Sequence, residues 1–217
     1  MLKIRECCLC SQVAGEESND LIARMLPGEP YVRRVMLESE SFAAIPSLGP
    51  LVSGHALLCP KAHVRSFTQL GPGLEDEYRA VKDELREALS RRYDSPVHLF
   101  EHGMAAEGDR VMCSTDHAHL HFVLLPRRCG VEAIGRLPWV EFDGSLGELA
   151  RLTGGLEYIL YEPPGGGGRL LLAEGDGFES QFMRKIFARA LGRAERWNWR
   201  DRPDPRAADE TWRQFAP

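Results

Sequence analysis

The sequence predicts an α+β fold, and three observations carry the prediction. Segments of strand character at 31–38, 41–45 and 56–59 come before any long helical pattern. One long amphipathic helix follows, and two further strands, at 97–100 and 117–125, come after it. Strands that cluster instead of alternating with helices point to an antiparallel sheet with helices segregated onto it.

Each element has a local reason. Tyr31, Val32, Val35 and then Phe42 and Ile45 supply the β-branched and aromatic residues of the first two strands, with a short polar break between them. Gly49-Pro50 and Ser53-Gly54 are turn signals. Ala56-Leu57-Leu58-Cys59 is an apolar strand stopped by Pro60. Gly71-Pro72-Gly73 opens the helix, in which Leu74, Tyr78, Val81, Leu85 and Leu89 recur at three or four residues out to about Arg92. Val97-His98-Leu99-Phe100 is a strand, a loop covers 103–109, and the strand from His117 ends before Pro126. Beyond it, 144–152 reads as a short helix. Segments 157–161 and 169–172 read as strands around a glycine run at 165–168, and Phe178, Phe182, Ile186 and Leu191 mark a second amphipathic helix. The glycine run lacks the Gly-Lys-Ser/Thr ending of a P-loop and reads as a hairpin loop. There is no internal repeat.

The 217 residues, 43% of them apolar, suffice for one core with an extension. The organisation expected is a domain over 1–128 and a C-terminal extension over 129–217 packed on it, where all four tryptophans lie. The net charge of −5 argues against a chain-wide nucleic-acid surface. No apolar run is long enough for a signal peptide or a membrane span, so the expectation is a cytoplasmic protein that does not engage membranes.

Six cysteines are present, three of them at Cys7, Cys8 and Cys10. In a reducing compartment such crowding suggests metal ligation over disulfides. Cys59 and Cys129 read as small buried hydrophobes.

The most informative segment is His117-Ala118-His119-Leu120-His121-Phe122-Val123. On a strand, alternate residues share a face, so three imidazoles point one way while Ala118, Leu120 and Phe122 point into the core. One histidine so placed is usually structural. Three at period two suggest a metal site or phosphate chemistry, for which imidazole is suited as a nucleophile near pH 7 and as a proton donor.

This segment is similar to the histidine-triad (HIT) signature, His-x-His-x-His followed by apolar residues. A second block, Gly54-His55-Ala56-Leu57-Leu58-Cys59-Pro60-Lys61-Ala62-His63, resembles the same family's Gly-His-apolar strand ending in Pro-Lys-x-His. The resemblance covers roughly residues 5 to 127. It implies a five-stranded antiparallel sheet with a long helix, often a homodimer, acting on nucleoside phosphates or phosphoramidates. His119 would be the nucleophile at the α-phosphorus, forming a nucleotidyl-histidine intermediate. His121 would hold phosphate oxygens, His55 would line the phosphate site, and Ser114 would touch the phosphate or leaving group. The zinc-bearing branch implies structural Zn2+ on Cys7, Cys10, His63 and His117. Four such ligands leave no open position. Cys8 is a spare thiol in this scheme, and an unmetallated Cys-x-x-Cys is the plain alternative.

The chain departs from the family pattern before the triad. The usual Gln position is Cys113, and the acidic or amide ribose contact is replaced by Ala44-Ile45-Pro46-Ser47. Cys113 and His102 are therefore the candidate substrate contacts. Residues Gln181-Phe182-Met183-Arg184, Asn198-Trp199-Arg200-Asp201 and Trp212 to Phe215 resemble the C-terminal region of CwfJ-type proteins. Seven basic residues lie from Arg184 to Arg202, read as a solvated helix face or as a wall towards a phosphate. The leading function is a nucleotide hydrolase or nucleotidyltransferase on a nucleotide or nucleotide-derived molecule. The alternatives are a non-catalytic module for a nucleotide or RNA end, and a HIT scaffold recruited to a specialised biosynthetic reaction.

Overall fold

The computed structural model describes residues 7–104, 117–126, 129, 132–173 and 177–216. The chain enters through α1 (Cys8–Ala14), capped by the Cys7 side chain and closed by Gly15 in the left-handed region. Next comes α2 (Leu21–Met25), where Asp20 accepts hydrogen bonds from the N–H groups of Ile22 and Ala23 at 2.9 and 3.1 Å. Strands β1 (Leu37–Glu38), β2 (Phe42–Pro46) and β3 (Ala56–Pro60) follow. The long helix α3 (Glu75–Tyr93) carries Glu75, Asp76 and Glu77 in its first turn and Arg91 and Arg92 in its last, which complements its dipole. Strands β4 (Val97–Gly103) and β5 (Leu120–Leu124) complete the first half. The second half holds α4 (Glu132–Gly135), β6 (Val140–Phe142), α5 (Leu146–Thr153), β7 (Tyr158–Glu162), β8 (Gly168–Leu172), α6 (Phe182–Ala190) and α7 (Pro205–Arg213).

Among the described residues eight strands form one sheet in the order β1-β2-β3-β5-β4-β7-β8-β6, and every pairing is antiparallel. The expected five-stranded sheet is thus corrected to eight, while the α+β class stands. The added strands continue the sheet because β7 pairs with β4 from Leu99 opposite Glu162 to Gly103 opposite Tyr158. The open edges are β1 and β6.

The strand expected over 31–38 shrinks to two residues. Arg34 explains this, because its guanidinium turns inward to Asp209 of α7 at 2.7 Å and both side chains are buried. The strand expected from His117 begins at Leu120, so His117 and His119 stand on an extended approach to β5.

The two faces of the sheet carry different covers. On one face α3 packs Tyr78, Val81, Leu85 and Leu89 against Leu58, Leu99, Ala118, Leu120 and Phe122. On the other, α1 lays Leu9 and Val13 on Ala43, Ile45, Leu57 and Cys59. Further along that face, α6 lays Met183, Phe187 and Ala188 on Phe100, Val123, Ile159 and Tyr161. Between α1 and α6 lies a cleft, lined by the half-buried His119 and the buried His121.

Candidate active site

The site is built by strand register. His121 sits on β5 opposite Leu57 of β3 on one side and Phe100 of β4 on the other. Its ring stacks on Phe100 at 4.3 Å between centroids, which fixes its plane. His119 lies edge-on to it at 4.8 Å. His55 stands just before β3 in a turn that needs Gly54. That glycine has φ +80°, and an added Cβ would lie 2.6 Å from the Tyr93 ring.

The hydrogen bonds determine where the imidazole protons sit. The Leu51 N–H donates to His55 Nδ1 at 3.0 Å, so neutral His55 carries its proton on Nε2. That proton is donated to His121 Nδ1 at 2.9 Å, which leaves the His121 proton on Nε2. His119 Nδ1–H donates to the His117 carbonyl at 2.7 Å, so the lone pair of His119 is on Nε2. The pair presents one nucleophilic nitrogen and one N–H donor. Burial pushes all three imidazoles down, His119 to about 4 and His55 and His121 well below the ordinary range, and the Arg184 guanidinium pushes the same way. They are neutral at pH 7.

The family resemblance implied that His55 lines the phosphate site. In the structure it is fully buried behind His121, and it is not among the residues that line the cleft. The cleft has two lobes that share His119, His121, Arg184 and Trp199. One encloses about 50 Å³ against Cys8, Leu9 and Gln12 of α1. The other encloses about 40 Å³ against Phe100, His102 and Phe182. His102 is held by Glu157, with Nε2 2.5 Å from Oε1. Cys113 and Ser114 lie outside the described residues.

A second cluster gathers beside the first. The ligand atoms of Cys7, Cys10, His63 and His117 lie within 4.8 Å of one another. Cys10 Sγ is 3.2 Å from His63 Nδ1 and 3.3 Å from His117 Nδ1, and Cys7 Sγ is 3.5 Å from His117 Nδ1. His117 Nε2 donates to the Pro60 carbonyl at 2.8 Å, so its Nδ1 lone pair is turned to the thiols. The Cys10 thiol beside Cys7 holds Cys7 down to about 3, while Cys10 itself is raised by the same contact. Two sulfurs and two imidazole nitrogens at this spacing fit a tetrahedral Zn2+ site. Cys8 is turned to the cleft, and burial raises its thiol. Cys59 is buried as expected, and Cys129 is half-buried.

Residues 31–129 match the family model for the HIT domain. These residues form a HIT domain. The match does not reach the C-terminal third. Among solved structures, the chain resembles a Zn-bound histidine triad family protein from Mycobacterium smegmatis at 21% identity and a TM-score of 0.43, covering 58% of this chain and 79% of that one. It also resembles a HIT family member from Bacillus subtilis, at 18% identity and 0.42, covering 56% and 74%. A hypothetical protein from Leishmania major aligns at 17% identity and 0.42, covering 70% and 94%. No curated protein matches the chain. Among the described residues, no helix is long and apolar enough to cross a membrane.

Of the cleft walls, His102 was a candidate from sequence, and Arg184 entered only as one of seven basic residues. Arg184 had a readable signal, because it lies on the apolar face of its helix among Met183, Phe187 and Ala188. Phe100 and the Leu51 N–H had none, since only the pairing of distant strands and a turn brings them to histidines.

Proposed function

We propose that this HIT protein is a nucleotide hydrolase or nucleotidyltransferase, acting at the α-phosphate of a nucleoside phosphate, dinucleoside polyphosphate or phosphoramidate. The observation that carries the reading is the 2.7 Å bond from His119 Nδ1 to the His117 carbonyl, which leaves a neutral Nε2 lone pair in a cleft. His119 Nε2 attacks phosphorus. The N–P bond forms as the bond to the leaving oxygen or nitrogen breaks, and the leaving group departs with that electron pair and takes a proton from solvent. His121 Nε2–H donates to a non-bridging oxygen as charge builds there. Nδ1 keeps its proton, so the nucleotidyl-imidazole is cationic and a good leaving group. Water or an acceptor hydroxyl or amine then attacks phosphorus and loses a proton, and His119 returns to its neutral form.

Cys7, Cys10, His63 and His117 would hold Zn2+. Bound there, the metal would supply a structural cross-link between α1 and the approach to β5, with no coordination position open for chemistry. The cross-link would keep the His117 carbonyl in place under His119.

A second reading has its own support. The two lobes meet at His119, His121 and Arg184, a neutral pair beside one cation, as expected of a module that holds only a phosphate end. Rapid quenching with substrate labelled at the α-phosphorus separates the two. The catalytic reading expects one nucleotidyl group on the peptide containing His119. Near-normal turnover by His119→Ala overturns it, and phosphate binding with no turnover by either protein supports the module.

A further inference from the structure

We propose that Arg184, supplied by α6, is the anion-binding residue of the histidine cleft and contacts the phosphate oxygens of the substrate directly. The inference rests on the phosphate chemistry proposed above, but it concerns binding and stands apart from turnover.

Arg184 is only 4% exposed, and it lines both lobes beside His119 and His121. A buried guanidinium ordinarily faces a carboxylate. Here its fixed partners are neutral carbonyls. Nε donates to the Trp197 carbonyl at 2.8 Å, and Nη2 donates to the Gly49 carbonyl at 2.8 Å and the Arg196 carbonyl at 3.3 Å. Those bonds occupy Nε and Nη2. Among the described residues, no acceptor lies within hydrogen-bond distance of Nη1 and no carboxylate within ion-pair distance of the group. The titratable side chains close enough to feel its charge are His55, His119 and His121, none of which supplies a negative charge. The cleft therefore carries a whole positive charge with no negative one, and an anion is the ligand that balances it. Burial lowers Arg184 only to about 10, so it remains cationic at neutral pH.

The mounting is rigid. Residues 196–199 press on the 46–49 loop so closely that a Cβ on Gly49 would lie 2.3 Å from Trp199 Cβ and 2.8 Å from its Cα. Carbonyls of the same two segments hold the guanidinium. The free Nη1 edge is thereby oriented before ligand arrives, the arrangement that makes arginine–phosphate recognition strong and directional. The other arginines of the basic run do not share this placement. Arg196 pairs with Asp204 at 3.5 Å, and Arg193 reaches the Leu51 carbonyl at 3.2 Å.

The test is a titration of wild-type protein with inorganic phosphate, followed by the 15N resonances of the Arg184 side chain and by the 31P signal. Phosphate binding accompanied by shifted, slowly exchanging Arg184 Nη resonances is the expected result. Phosphate that binds with those resonances unmoved overturns the proposal, and so does the absence of phosphate binding. Two variants extend the test. Arg184→Gln is expected to weaken phosphate roughly 10- to 100-fold, the scale of lost charge-assisted hydrogen bonds. Arg184→Lys is expected to fold and retain part of the affinity. Equal phosphate affinity in folded Arg184→Lys, Arg184→Gln and wild-type protein would make Arg184 a structural tie only. None of these readouts depends on a His119 adduct, so failure of the catalytic reading leaves the binding result interpretable.

Discussion

His55 and His121 share a 2.9 Å hydrogen bond whose direction is fixed from outside the pair, by the N–H of Leu51. The backbone of one turn thus selects the tautomer of a side chain two bonds away. His55→Ala breaks this chain, leaving the Leu51 N–H without its acceptor and His121 free to turn its lone pair to the cleft. The expected effect is a fall in kcat of roughly 10- to 100-fold, as for loss of an orienting outer partner, with KM little changed. Steady-state kinetics check it, and a variant that only raises KM would show that His55 contacts substrate.

The metal centre predicts a stability effect without a catalytic one. Protein purified without chelator is expected to carry one zinc per chain, and Cys10→Ser to lose it. The melting temperature should fall, because structural zinc contributes folding free energy on the order of several kcal/mol. Elemental analysis and calorimetry on the two proteins decide the matter. Zinc-free wild-type protein of unchanged stability would refute the site.

The histidine pattern and the metal set were legible because each is local or has a fixed spacing. Alternation alone puts Ala118, Leu120 and Phe122 in the core with α3. The Cys-x-x-Cys pair lies on one turn at the start of α1, close enough in space for both sulfurs to meet His63 and His117. What stayed hidden depends on partners far away in the chain. The irregular run before Leu37 follows from Arg34 meeting Asp209, 175 residues on. The exposed strand β6 has a single buried residue, Phe142, and so carries almost no alternation to read.

His98 gives the protein an acid-sensitive core. It lies under α6, its ring edge-on to Phe187 at 5.7 Å and its Nδ1 2.8 Å from the Tyr161 hydroxyl, and burial pushes it down to about 4. The unfolded chain takes up a proton below about pH 6.5, whereas the folded chain resists until about pH 4. Its contribution is therefore complete above pH 6.5 and is lost as pH falls towards 4, on the order of 3 kcal/mol in all. Glu101, raised to about 7 by burial, acts in the opposite sense, so the comparison must be with a variant. Urea midpoints of wild type and His98→Phe between pH 4 and 7 should differ in slope by about one proton. Parallel curves would show that His98 titrates normally.

The pairing of β4 with β7 predicts that the first part depends on the C-terminal one. A chain ending at Arg128 would expose the β4 edge from Leu99 to Gly103, leaving its N–H and C=O groups without strand partners. It would also uncover Phe100 and Val123, which α6 buries, and would remove Asp209 from Arg34. A buried arginine stripped of its carboxylate costs on the order of 3–5 kcal/mol, a large share of the 5–15 kcal/mol that holds an ordinary domain together. An unpaired, partly apolar edge is also a template for association. The shortened chain is expected to be poorly soluble, with a broadened thermal transition, and to bind phosphate more weakly than the full chain because Arg184 goes with the tail. Size-exclusion chromatography, calorimetry and a phosphate titration on the two chains test this. A monomeric truncation with the stability and affinity of the full chain would mean that the tail is an appendage and that the sheet is complete at five strands.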